Sequence, residues 1–277
     1  MENDYPNQLT VLGHPQRLAI FRLLMRRYPD HVPAGEISSA LGIKPSTTST
    51  YLSALMQAKL VDQRRAGTSL LYAADMSTVQ HLFSFLFGDC CRGRPDICLP
   101  NATESGPQNT IKQNVLFVCV GNSARSIFAE SILRSTAGDR FNVYSAGTRP
   151  RSQINPFTLQ ILRDKGHDIA GLKAKEISVY TASDAPQFDF VFTVCDHAAN
   201  EECPTWRGLP ITSHWGLPDP AKVTGTDAEL IMAFQQTYDA IKHRIDQFTA
   251  LNLENLGRVA IQNSVDDIGR ISQEALT

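Results

Sequence analysis

Residues 115–118, Val-Leu-Phe-Val, form an unbroken apolar run that ends in Cys119-Val120-Gly121-Asn122-Ser123-Ala124-Arg125-Ser126 and passes into a segment of helical period. Strands that read as continuous hydrophobic sequence are buried on both faces, as in parallel sheets covered by helices. A loop from such a strand to a helix N-terminus aims backbone N–H groups at a common centre, which makes it an oxyanion cradle. Gly121 lets the backbone turn close to a ligand. Arg125 can clamp a tetrahedral oxyanion through two parallel hydrogen bonds. The same field favours a thiolate at Cys119, and Ser126 can donate a hydrogen bond to it. The loop lacks Gly-Lys-Ser/Thr, which argues against nucleotide hydrolysis.

The sequence around this join alternates strand and helix. Val143-Tyr144-Ser145 and Phe188–Val194 read as further strands, and Pro156–Lys165 as a helix. Ile231, Phe234, Tyr238, Ile241, Ile245 and Phe248 track one face of a long final helix. The expectation is an α/β domain with a parallel sheet over residues 114–250. Residues 99–113, rich in Pro, Gly, Ser, Asn and Thr, read as a linker. Residues 251–277 read as a helical tail around Leu256, Val259, Ile261 and Ile268.

Charge and cysteine follow the same division. Residues 1–99 hold 10 Lys/Arg against 8 Asp/Glu, and the rest of the chain is net acidic, giving −2 overall. A mildly basic front half permits DNA binding. Of the six cysteines, Cys90, Cys91 and Cys98 fall in the front and Cys119, Cys195 and Cys203 in the back. No apolar run suits a membrane span or a signal core, so the expected location is the cytoplasm. There, cysteines serve catalysis, redox or metal binding more than structural disulfides.

At Cys119–Ser126 the chain resembles the low-molecular-weight protein tyrosine phosphatases and their arsenate-reductase relatives, over residues 114–250. The resemblance implies that Cys119 is the nucleophile, that Arg125 binds the oxyanion, and that Asp219, in Asp219-Pro220, is the general acid. It also implies a redox role for Cys195 and Cys203, which bracket a polar stretch read as a mobile loop. Both activities begin with thiolate attack on a tetrahedral oxyanion. A phosphatase then needs only water, whereas a reductase needs a second thiol to release As(III) as a disulfide forms. Ala221 stands where phosphotyrosine phosphatases carry an aromatic residue. Ala124 stands where some thioredoxin-coupled reductases carry an additional cysteine. The favoured expectation is arsenate reduction, with no tightly bound cofactor and with thioredoxin, or glutaredoxin with glutathione, as external reductant. The alternatives are a protein tyrosine phosphatase and a non-catalytic oxyanion effector site.

Residues 1–98 read as a mainly helical winged helix-turn-helix. Leu18, Phe21 and Met25 mark one helix, Ile37 to Leu41 a second that Gly42 ends, and Pro45–Ala58 a third. Two short strands follow around Ala66-Gly67-Thr68, and Met76, Val79, Phe83 and Leu86 mark a last helix. Ser46, Thr47, Thr48, Ser49, Thr50 and Tyr51 open the third helix with groups able to contact phosphates and base edges. Arg64 and Arg65 sit on the hairpin as a wing. This order resembles the ArsR-type repressors. The resemblance implies a homodimer paired through the Leu18–Met25 and Met76–Phe87 segments, bound to a two-fold operator. Three thiols in nine residues, Cys90, Cys91 and Cys98, can converge on one trivalent arsenic ion. They resemble the C-terminal arsenite site of some ArsR-type repressors. The combined expectation is a repressor released by As(III), fused to the enzyme that makes As(III).

Overall fold

A computed structural model describes residues 4–90, 92, 112–182, 184–201, 206 and 208–270. The chain divides into two compact units, Met1–Thr110 and Ile111–Thr277. Among the described residues no helix is long and apolar enough to cross a membrane.

The first unit begins with α1 (Tyr5–Leu12), a helix the sequence reading did not anticipate. Asp4 caps it by accepting from the Asn7 amide. Then come α2 (Pro15–Arg27), β1 (Val32–Pro33), α3 (Ala34–Leu41) and α4 (Pro45–Gln57). His14 caps α2 through Nδ1. Gly42 ends α3 at φ +63°, a left-handed conformation that favours glycine. β2 (Val61–Ala66) and β3 (Ser69–Ala74) form the expected antiparallel hairpin, and β1 adds to its other edge. α5 (Met76–Phe85) closes the unit, capped by Asp75. Ile20, Leu23, Leu24, Ile37, Leu52, Leu55 and Leu60 fill the core.

The second unit is a four-stranded parallel sheet in the order β5-β4-β6-β7. Its elements are β4 (Gln113–Cys119), α6 (Arg125–Ala137), β5 (Phe141–Gly147), α7 (Pro156–Asp164), β6 (Phe190–Thr193), α8 (Asp196–Asn200), β7 (Ile211–His214), α9 (Asp227–Ala250) and α10 (Arg258–Arg270). β4 is central, and Val115 to Val118 are fully buried, as their unbroken apolarity requires. Phe128 of α6 meets Phe234 and Tyr238 of α9 edge-on, and Phe248 of α9 packs on Phe190, Phe192 and Trp215. All four strands run the same way, so the segments after Cys119, Gly147, Thr193 and His214 gather at one edge of the sheet, where ligands bind in such folds.

Candidate functional site

The turn out of β4 is held from outside. The carbonyls of Cys119, Val120 and Gly121 accept from the amides of Thr148, Arg149 and Arg151 at 2.9–3.0 Å. The Ser123 carbonyl accepts from the Asn155 amide and the Thr158 hydroxyl, both at 3.0 Å. A trans peptide points its N–H opposite to its C=O. Carbonyls tied outward therefore turn the following amides inward. The Asn122 amide does so visibly, donating to Cys119 Sγ at 3.1 Å. Gly147, which the sequence reading missed, makes this approach possible: a Cβ there would lie 2.5 Å from the Val120 carbonyl oxygen.

Cys119 is buried at the base of the turn, with Ser126 Oγ 2.9 Å from its sulfur. Asn122 sits at φ +41°, unusual for a residue other than glycine. Its side chain is fully engaged: Oδ1 accepts from the Lys175 amide at 2.7 Å, and Nδ2 donates to Ser126 Oγ and Ser145 Oγ, each at 2.8 Å.

Arg125, the first residue of α6, is buried. Its Nη1 donates to the Leu217 carbonyl at 2.9 Å and its Nη2 to Asp219 Oδ2 at 2.9 Å. Its Nε is buried and has no partner among the described residues. Buried donors in native proteins are satisfied, so this one fits a site whose remaining acceptor is a ligand. Asp219 also caps the turn Pro220–Lys222 through Oδ1. The structure thus joins Cys119, Arg125 and Asp219 across about a hundred residues of sequence.

Cys195 belongs to the same edge. β6 pairs in parallel with β4, Thr193 opposite Val118, and the Val194 amide donates to the Val118 carbonyl at 2.8 Å. Cys195 is a buried free thiol pushed up to about 11, first by burial and then by the Cys119 sulfur, with Arg125 opposing. The stretch after it, read as an open polar loop, instead forms α8, because Ala198 and Ala199 are fully buried and anchor it. Glu201, just past α8, accepts from Arg149 Nη2 at 2.5 Å. Cys203 lies outside the described residues.

In the first unit, α4 exposes Ser46, Ser49 and Thr50, while Thr47 and Tyr51 are half-buried. Ser49 and Thr50 donate back to the carbonyls of Pro45 and Ser46. Thr48 corrects the sequence reading. It is fully buried, because it shares the inward stripe of α4 with Leu52 and Leu55, four and seven residues on, and so has no surface for DNA. The Tyr51 ring lies 4.9 Å from that of His14. Arg64 and Arg65 are exposed on β2, opposite Leu71 and Leu70. Cys90 is an exposed free thiol at the end of the turn after α5, and Cys91 and Cys98 lie outside the described residues.

Residues 114–259 match the low molecular weight phosphotyrosine protein phosphatase family, and residues 14–63 match the arsR family of bacterial regulatory proteins. The chain is 37% identical over 137 residues to an arsenate reductase of Bacillus licheniformis, an alignment spanning 50% of this chain and 95% of that one. It is 36% identical, with the same coverage, to an arsenate reductase of Shouchella clausii. A solved arsenate reductase from Archaeoglobus fulgidus aligns over 48% of this chain and 98% of its own, at 24% identity and a TM-score of 0.38.

Proposed function

The chain belongs to the low molecular weight phosphotyrosine protein phosphatase family, and from that premise we propose that its second unit reduces arsenate to arsenite. The observation that carries this reading is the second buried thiol, Cys195, at the strand end beside Cys119. Phosphoester hydrolysis has no use for it. In the proposed reaction the Cys119 thiolate attacks arsenic in the cradle. An As–S bond forms and an As–O bond breaks, and the departing oxygen leaves as water with a proton from Asp219. Arg125 exchanges its hold on Asp219 and the Leu217 carbonyl for the oxyanion, which also satisfies Nε. Cys195, as thiolate, then attacks Cys119 Sγ. The S–S bond forms, the As–S bond breaks, and its electron pair stays on arsenic, which leaves as As(III). Cys203 attacks Cys195, which moves the disulfide to Cys195–Cys203 and frees Cys119. An external dithiol, thioredoxin or glutaredoxin with glutathione, returns the pair to thiols.

The first unit, in this reading, is a homodimeric repressor that binds operator DNA through α4 and the Arg64-Arg65 wing. As(III) on Cys90, Cys91 and Cys98 releases it, and the whole acts in the cytoplasm. The exposed hydroxyls of α4, the exposed wing arginines and the exposed Cys90 thiol support these roles.

The test is purified protein with arsenate and a thioredoxin regeneration system, with arsenite measured directly. Arsenite should form with the natural chain and be abolished in Cys119→Ser and Cys195→Ser. Absence of arsenite, with aryl phosphate hydrolysis that survives Cys195→Ser and Cys203→Ser, would replace the reductase with a phosphatase. Absence of both activities would leave an oxyanion-binding effector domain.

A further inference from the structure

Behind the cradle lies a carboxylate that the reaction above does not use. Glu130 of α6 is 2% exposed. Its Oε2 accepts from Ser145 Oγ at 2.5 Å and from Lys175 Nζ at 3.0 Å, and its Oε1 is held by Arg134. Lys175 is itself largely buried and meets this cluster twice, through its ammonium on Glu130 and through its backbone amide on Asn122 Oδ1.

That second contact sets the orientation of the Asn122 amide and, through it, the donors that meet both serines. A backbone amide only donates, so the Asn122 atom facing it must be the oxygen. Nδ2 then faces both serines, and its two hydrogens go to Ser126 and Ser145. Ser145 turns its own proton to Glu130, a carboxylate that only accepts. Ser126 accepts from Asn122, and its proton meets Cys119 Sγ at 2.9 Å when that sulfur is a thiolate, which only accepts. The sulfur therefore receives two donors, the Ser126 hydroxyl and the Asn122 amide.

We propose that Lys175 and Glu130 are positioning residues that act through Ser145 and Asn122 to hold the Ser126 proton on the Cys119 sulfur. The proposal rests on the reading of Cys119 as the nucleophile. Without the Lys175 ammonium, Glu130 loses its nearest buried counter-charge. It keeps its charge close behind the thiolate, with only the half-exposed Arg134 to offset it. That uncompensated charge weakens the thiolate. Lys175→Arg keeps the charge. A double variant, Glu130→Gln with Lys175→Met, removes both charges while the amide oxygen still accepts from Ser145.

The experiment is alkylation of Cys119 by iodoacetamide at pH 6.5, followed at that cysteine by mass spectrometry. Lys175→Met should slow it by about tenfold or more, the size expected when a buried carboxylate behind a thiolate loses its counter-charge. Lys175→Arg should stay within about threefold of the natural chain, because the charge survives and only the geometry changes. The double variant should recover most of the rate. If Lys175→Met does not fold, Lys175→Gln with the same two companions carries the comparison. Unchanged alkylation in the single variant overturns the proposal. So does a loss that the double variant does not recover, since Lys175 would then act by packing alone. The readout needs no turnover, so a natural chain that makes no arsenite would end the reductase reading and leave this result standing.

Discussion

Cys195 is held as a neutral thiol by its surroundings, and that sets how fast the proposed second step can run. With the thiol raised to about 11, neutral pH lies far on the protonated side. Thiolate is the attacking species, and its fraction grows about tenfold per pH unit below that value. Single-turnover disulfide formation between Cys119 and Cys195 in Cys203→Ser, quenched with acid and resolved by mass, should therefore speed up about tenfold per unit from pH 6.5 to pH 8.5. A flat profile would mean that the oxyanion adduct itself removes the proton, and would remove the role assigned to free Cys195 thiolate. Site legibility at this scale followed chain distance. Cys119, Gly121, Arg125 and Ser126 lie in one turn, and their chemistry is visible in eight consecutive letters. Ser145, Gly147 and Lys175 reach the same cradle from other segments, and Glu130 from one turn along α6. No spacing rule could place them there, although a glycine at the carboxyl end of a strand was a usable hint of close backbone approach.

At the scale of elements, α10 clamps the segment that carries Asp219. The carbonyl of its Val265 accepts from the Trp215 indole at 3.0 Å and from the Ser213 hydroxyl at 3.2 Å. Arg244 of α9 donates to the Trp215 carbonyl at 2.7 Å and reaches the Gly269 carbonyl at 3.3 Å. Asp266 sits in this contact, raised to about 6 mainly by burial. A carboxyl whose folded value is raised favours the folded state while protonated, below about pH 4, and that contribution is lost as pH rises through about 6. Asp266→Asn should therefore raise the thermal midpoint at pH 7.5, by roughly 2–4 °C for each kcal/mol recovered. It should leave the midpoint at pH 4 unchanged. Equal shifts at both pH values would assign the effect to packing and not to ionisation. Long, strongly periodic elements were readable from sequence: β4, α6, α9 and the α3-turn-α4 pair. β7 was not, because Ile-Thr-Ser-His is a four-residue edge strand with three of its residues polar, and α1 was not, because Tyr-Pro-Asn-Gln carries little apolar period. Thr48 shows the same limit within a helix that was found, since a hydroxyl on the inward stripe looks in sequence like its exposed neighbours.

For the whole molecule, the question is whether joining the proposed sensor and the proposed reductase in one chain couples them by more than co-production. Under the proposed functions arsenate alone is not the inducer, so the natural chain with arsenate and thioredoxin should leave operator DNA only after a lag set by turnover. Cys119→Ser should stay bound with arsenate yet leave with arsenite. A variant with Cys90, Cys91 and Cys98 all changed to Ser should stay bound with either. The decisive sample is operator loaded with Cys119→Ser and mixed with an equimolar triple-Ser chain that also carries Arg64→Ala and Arg65→Ala and so does not hold operator, which leaves one protein with only the sensor and the other with only the enzyme. Arsenite is a small, freely diffusing solute, and joining two units in one chain does not by itself confine it near Cys90, Cys91 and Cys98. The mixture should then release operator with the lag of the natural chain at the same concentration of active enzyme, followed by fluorescence anisotropy of labelled DNA. Release only by the natural chain would mean that product passes between the units without entering solution, and fusion would then serve transfer as well as co-production.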